Sequence, residues 1–333
     1  MGFGLVLGAG GLVGMAYHVG ALRALEEAGL PPAEADVVVG TSAGSVVGAY
    51  QRTGSSVGQL WSATLAPPSD GPGGSGGWAG TGVDPSLRKG LGGVSSVLAP
   101  AFSSPLDLVR RSVGSASLVA RAAMRRPIPP VPGLISRAFP AGLYRLGEGE
   151  ARLREELPDA WPDRPLWLCS MDVTTGRRVV LGRPGGPATS LPQGVLASCA
   201  IPGLYSPVRV GKSVLVDGGA LSCSNLDLAV QAGCRLVIAI APLAYDPDWP
   251  PGATQRLVRA IPARSLARES AAARRAGVEV LIIRPSRPEV GAHGLNMLRR
   301  DGLDRVARDA YRAAATTLRS GSSERALKSL IGA

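Results

Sequence analysis

Three stretches of the chain carry residue types at spacings suited to nucleophilic chemistry. Gly40-Thr41-Ser42-Ala43-Gly44 follows the apolar run Val37-Val38-Val39 and has G-x-S-x-G spacing. Where a strand turns sharply into a helix, that spacing exposes the serine hydroxyl at the top of a sheet. Gly8-Ala9-Gly10-Gly11-Leu12-Val13-Gly14 follows the apolar run Phe3–Leu7. Its unhindered backbone N–H groups, at the start of a helix, favour negative charge. Asp217 ends the run Val214-Leu215-Val216 and is followed by Gly218-Gly219. An aspartate at a strand end points to the edge where α/β active sites lie, and partial burial raises its basicity. A nucleophile beside an anion cradle is what acyl transfer requires, and the expectation is a serine hydrolase.

Each of these residues also has a plainer reading. Ser42 in a tight strand-to-helix turn could simply cap the helix. Asp-Gly is a strong turn signal whatever its chemistry. Histidine is the usual partner of a serine, and the chain has two, His18 and His293. His18 falls among apolar residues of a helix and reads as structural; His293 falls in Gly291-Ala292-His293-Gly294, which reads as a loop. A Ser42–Asp217–His293 triad has the chain order of α/β-hydrolases, but that fold places several strands before its nucleophile and here only one precedes the elbow strand. Gly8, Gly10 and Gly14 also resemble a dinucleotide-binding turn, yet no acidic residue follows the second strand to hold a ribose.

The elements that must position these residues are legible as alternating strands and helices. Residues 3–8 and 36–39 read as buried parallel-type strands, with helices over about 15–28 and 43–52. Strands follow at 166–173, 178–181, 208–210, 214–216, 236–241 and 278–283, with helices at 191–199 and 226–232, a long helix over about 295–318 and a short one closing the chain. Strand–helix alternation argues for an α/β fold around a mainly parallel sheet. Residues 67–82 are low in complexity and read as flexible.

Hydrophobic residues make up 45% of the 333, enough for a sizeable core, and the net charge is +11. Residues 88–145 hold nine basic side chains and one acid, Asp107. If 105–126 is a helix, Leu106, Val109, Val113, Ala116, Ala120 and Met124 share a face, Arg110, Arg111, Arg121 and Arg125 lie opposite, and Leu108, Leu118 and Val119 break the pattern. Such a helix either lies in a membrane interface or packs on the domain. Nucleic-acid binding would rest on charge alone, and with aromatics at 4% a base-stacking surface is disfavoured. The four cysteines form no C-x-x-C pair, and the uncharged residues 1–22 hold seven glycines and lack a basic leader region. Free thiols in a soluble cytoplasmic protein, in peripheral contact with anionic membranes through residues 88–126, are expected.

Taken in order, the glycine-rich turn at 8–14, G-x-S-x-G at 40–44 and Asp-Gly-Gly at 217–219 resemble the patatin-like phospholipase family. Met171-Asp172-Val173-Thr174-Thr175-Gly176, Ala197-Ser198-Cys199-Ala200-Ile201-Pro202-Gly203 and Asn225 agree with it. The resemblance implies one α/β hydrolase domain over residues 1–333, a three-layer sandwich. Its motif-bearing core spans about 3–235, with a variable cap at about 55–145 and C-terminal elements at 236–333. It implies a lipid acyl ester hydrolase with a Ser42–Asp217 dyad and no histidine, metal or cofactor. Gly10, Gly11 and Leu12 would form the oxyanion hole, Gly40 and Gly44 would shape the elbow, and Asp172 and Ser198 would be structural. Two positions depart from the family pattern: its triple glycine reads Ala9-Gly10-Gly11, and Val13 stands where Arg or Lys is common. The altered turn also admits a catalytically weak lipid-binding scaffold.

Overall fold

The computed structural model describes residues 2–66, 99–124, 138, 140–145 and 147–320. The low-complexity stretch 67–82, residues 88–98 and 125–126 of the basic segment, and the closing helix lie outside the described residues.

The N-terminal strands are β1 (Phe3–Leu7) and β2 (Val37–Gly40), and a short ribbon pairs β3 (Ala99–Pro100) with β4 (Tyr144–Arg145). After them come β5 (Leu166–Asp172), β6 (Arg177–Leu181), β7 (Val208–Val210), β8 (Ser213–Asp217), β9 (Leu236–Ile240) and β10 (Glu279–Ile283). The main sheet has eight strands in the order β10-β9-β1-β2-β5-β8-β7, with β6 beside β5. Strands β10, β9, β1, β2 and β5 are parallel, whereas β6 and β8 run antiparallel to β5.

Helices follow the same chain order. They are α1 (Gly11–Glu27), α2 (Ala43–Arg52), α3 (Val57–Leu65), α4 (Pro105–Met124) and α5 (Gly147–Glu156), then α6 (Leu191–Cys199), α7 (Asp227–Gln231), α8 (Ala253–Arg275), α9 (Arg287–His293) and α10 (Leu303–Leu318). Successive side chains of a strand point to opposite faces, and the two cores divide accordingly. Leu5, Leu7, Val38, Leu166, Leu168, Ile238 and Ile240 pack with residues of α1, α2, α6 and α10. Their sequence neighbours Val6, Val37, Val39, Trp167, Val237 and Ala239 pack with Leu228 of α7 and Leu266 and Ala273 of α8. The sheet is therefore covered on both faces, which is why its central strands read as unbroken apolar runs.

Four local expectations change. Helix α1 starts at Gly11, not near residue 15, so the second half of the glycine turn, Gly11–Gly14, is the first helical turn. The long C-terminal helix expected from about residue 295 starts only at Leu303, as α10, and His293, expected in a loop, is the last residue of the short helix α9. Helix α8 was not legible in the sequence: its buried positions are Arg259, Leu266, Ser270 and Ala273, and Pro262 lies inside it, so no apolar stripe marks it. Helix α4 packs through Leu118 and Ala122 onto Met171, Val173 and Val216. Leu118, which breaks the sequence pattern, is thus the anchor, and the face bearing Leu106, Val109 and Val113 is turned outward.

Candidate active site

Ser42 sits where β2 gives way to α2, with φ 53° and ψ −117°. Ser42 and Asn225 are the non-glycine residues with positive φ among the described residues. Such a conformation costs on the order of 1–3 kcal/mol and persists only where surrounding contacts enforce it. Those contacts are present. The Ser42 N–H donates to Ser198 Oγ at 3.1 Å, and Ser198 Oγ donates to the Cys169 carbonyl at 2.7 Å. The Ser42 carbonyl accepts from Ser45 Oγ and, at 3.4 Å, from Cys199 Sγ. At Gly44 a Cβ would lie 1.9 Å from the Leu7 carbonyl oxygen, so only glycine lets α2 cross β1 this closely. The Ser42 side chain does not cap α2, and the helix-cap reading of this serine falls.

The Ser42 hydroxyl instead faces Asp217. Both residues are almost wholly buried, at 5% exposure each. Burial pushes the Asp217 carboxyl up to about 6, against the opposing effects of the Ser42 hydroxyl and the Gly219 N–H. The Gly219 N–H donates to Asp217 Oδ1 at 2.8 Å. Asp217 therefore does serve a turn, as the plainer reading held, while its carboxylate also meets the serine.

The glycine turn lies alongside. The N–H groups of Gly8, Ala9, Val13 and Gly14 donate to Ile240, Cys223, Met297 and Gly10 carbonyls. Those of Gly10, Gly11 and Leu12, at the start of α1, have no such acceptor among the described residues. Gly11 has φ 59°, and a Cβ there would meet the Met297 carbonyl oxygen at 2.5 Å. His18 Nε2 bonds the Gly8 carbonyl at 2.7 Å, and burial lowers its pKa to about 4, so it is a neutral donor holding the turn. Gly219 comes within reach of this turn: a Cβ on it would lie 3.4 Å from Ala9 Cβ.

His293 is not part of this arrangement. Its ring packs edge-on to Tyr17 at 5.6 Å, and neither ring nitrogen has a hydrogen-bond partner. Burial, with Arg259 and Arg299 nearby, lowers its pKa to about 3. The Ser42–Asp217–His293 triad is therefore not assembled. Asp172 accepts from the backbone and hydroxyl of Thr174 and supports the β5–β6 turn. The four cysteines are free. Among the described residues no group of three or more His, Cys, Asp or Glu is arranged to hold a metal ion, and no helix is long and apolar enough to cross a membrane.

The patatin-like phospholipase model matches residues 5–230, a span containing the serine, the aspartate and the glycine turn. The chain belongs to the patatin-like phospholipase family. A 50-residue stretch is 59% identical to lysophospholipase nte1 of Aspergillus fumigatus and to lysophospholipase NTE1 of Pyricularia oryzae. It is 56% identical in lysophospholipase NTE1 of Coccidioides immitis. That stretch is 15% of this chain and only 3% of the length of each fungal protein. VipD from Legionella pneumophila is similar at 16% identity with a TM-score of 0.45, over 96% of this chain and 67% of that one.

Two residues that hold this patatin-like site were not found by reading the sequence, and both lie on α8. Arg259 is buried and donates to the Pro242 carbonyl at 2.6 Å and to the Ala244 carbonyl, while its other amino group contacts Met297 Sδ at 3.6 Å. Pro242 and Met297 both border the glycine turn. Glu269 accepts from Ser222 Oγ, from Ser224 Oγ at 2.7 Å and from the Leu226 N–H at 2.8 Å, fixing the loop after Asp217. From that loop Asn225 Nδ2 reaches Thr41 Oγ1 at 3.0 Å, one residue before the serine.

Proposed function

We propose that this protein is a lipid acyl ester hydrolase in which Ser42 is the nucleophile and Asp217 its general base. The observation that carries the reading is the strained Ser42, whose hydroxyl caps nothing and faces a buried carboxylate of raised basicity. Asp217 takes the hydroxyl proton as Ser42 Oγ attacks the ester carbonyl. The N–H groups of Gly10, Gly11 and Leu12 receive the tetrahedral oxyanion. The alcohol departs with the proton, and water, deprotonated by Asp217, hydrolyses the acyl-enzyme. Family membership and the lysophospholipase names of the fungal relatives favour a phospholipid or lysophospholipid ester as substrate. The outward apolar face of α4, with Arg110 exposed beside it, supports contact with an anionic membrane through this segment.

A p-nitrophenyl ester chain-length series, with lysophospholipid as second substrate, tests the proposal on wild type, Ser42→Ala and Asp217→Asn. Both variants are expected to stay folded and lose turnover, and a fluorophosphonate probe to label wild type but not Ser42→Ala. A folded wild type that neither turns over esters nor takes the probe would leave the weak-scaffold alternative instead.

A further inference from the structure

Helix α8 carries large apolar side chains on its solvent side. Its inner face buries Arg259, Leu266, Ser270 and Ala273. In its first half Leu257 and Ile261 are 78% and 62% exposed, and Val258 beside them is exposed. Trp249, in the loop leading into the helix, is 68% exposed, and Leu295, after α9, is exposed as well. Single exposed apolar residues are ordinary, whereas a cluster of large ones on one element marks an interaction surface.

The position of this patch is tied to the candidate site. Arg259, on the opposite side of the same turns, bonds to Pro242 and contacts Met297, which border the glycine turn. Pro262 and Leu266 line a crevice with Ala9, Cys223 and Ala244. The patch is thus the outer surface of the element that supports the oxyanion turn from the β9 side. Helix α4 lies over β5 and β8, on the other side of Ser42 in the strand order β9-β1-β2-β5-β8, and also turns apolar residues outward.

Charge narrows the choice of partner. Beyond Ile261 the outward line of α8 continues with Arg264 and Arg268, and Arg256 lies before it, all exposed. The one acid of α8, Glu269, is turned in to the serines of the Asp217 loop. An apolar ridge rimmed by guanidinium groups fits an anionic bilayer, with the ridge in the acyl boundary and the arginines at phosphate level. A second copy of the chain fits poorly, because two such surfaces would bring like charges together in a protein of net charge +11.

We infer that the outer face of α8, with Trp249 and Leu295, seats the protein on an anionic lipid bilayer, with Ser42 between this contact and α4. The inference deepens the lipid-ester reading, and its test is kept separate by working in a Ser42→Ala background, where binding is read without turnover. The probe is co-sedimentation of the full chain with vesicles of phosphatidylcholine, with and without phosphatidylglycerol. The Ser42→Ala protein is expected to bind the mixed vesicles, and less so as salt rises. Adding Leu257→Asp and Ile261→Asp is expected to weaken binding by roughly tenfold or more, with an unchanged thermal melt because both positions are exposed. Adding Arg264→Ala and Arg268→Ala is expected to weaken binding to the mixed vesicles roughly tenfold and to leave binding to phosphatidylcholine alone unaffected. Absence of vesicle binding by the parent would overturn the inference. Undiminished binding by the Leu257→Asp, Ile261→Asp protein would overturn it too, as would light scattering showing a dimer that these two substitutions convert to monomer.

Discussion

Asp217 faces Ser42 from a strand that runs against its neighbour. In β5, Leu168 pairs with Gly40 of β2, and two residues on Ser170 pairs with Asp217 of β8. Counting two residues on from Gly40 brings the chain to Ser42, level with Asp217 across β5. Strand β5 outlasts β2, and β8 pairs only with the overhang, running back toward the elbow. The aspartate therefore reaches the C-terminal edge of the parallel strands for a reason different from the sequence expectation: its strand is antiparallel and ends there. The separation of the two groups is set by strand register rather than by loops, the kind of rigid support that a reacting pair needs.

The Asp217 carboxyl, raised to about 6 by burial, sets a pH dependence of two signs. In its proposed role as general base it works ionised, so kcat/KM for a neutral ester is expected to rise with pH through a midpoint near 6. Stability runs the other way. A carboxyl whose folded pKa lies above its unfolded value near 3.8 binds more protons folded than unfolded, so stability falls as pH rises from about 4 to 6. Keeping this carboxylate ionised in the folded protein costs about 3 kcal/mol relative to the unfolded chain. Asp217→Asn removes that penalty, and is expected to be inactive yet to gain stability relative to wild type between pH 4 and pH 8. Denaturant unfolding of both proteins at the two pH values checks it; a relative gain at pH 4 instead would refute the assignment.

Gly11 is where the proposed oxyanion turn tolerates least. Its φ is 59° and the Met297 carbonyl oxygen occupies the space of a Cβ. Gly11→Ala must move either the turn or residues 295–298, and with them the free N–H groups of Gly10, Gly11 and Leu12. Loss of one oxyanion donor lowers kcat by roughly 10²- to 10³-fold. Steady-state kinetics on a soluble ester should find kcat reduced that far with KM within a few-fold of wild type; an unchanged kcat would mean that the oxyanion is held elsewhere.

How much of this was legible in the sequence follows from where the information resides. The glycine turn, the elbow and Asp217 were readable because each combines a local run of residues with a backbone demand, and the central strands because burial on two faces leaves them continuously apolar. Helix α8 was not readable: what it buries includes Arg259 and Ser270, whose partners, where bonded, lie far along the chain or on backbone carbonyls. The orientation of α4 was left open by the sequence because its outward face is the more apolar one, so a rule that turns apolar stripes inward would select the wrong side. Nor could spacing reveal that β8 is antiparallel, since direction is a property of pairing.

His293 is expected to be dispensable for turnover. Its ring fills space against Tyr17 and neither nitrogen is bonded. His293→Ala opens a buried gap and should cost on the order of 1–3 kcal/mol of stability. Turnover per folded molecule, measured after active-site titration with a fluorophosphonate, should stay within about threefold of wild type. A collapse to background would revive the triad.

Ser198 offers the sharpest separation of strain from chemistry. Its hydroxyl accepts from the Ser42 N–H and donates to the Cys169 carbonyl. Ser198→Ala leaves both groups buried without their partner, at about 1–3 kcal/mol for each unsatisfied group, and releases one of the restraints that hold Ser42 at positive φ. A relaxed Ser42 swings its hydroxyl away from Asp217, so kcat should fall by roughly tenfold or more while KM is little changed. The measurement pairs a thermal melt with titrated kcat. If the melt falls and kcat does not, the elbow is held from its carbonyl side by Ser45, Val46 and Cys199, and the Ser198 contact serves only to tie α6 to the sheet.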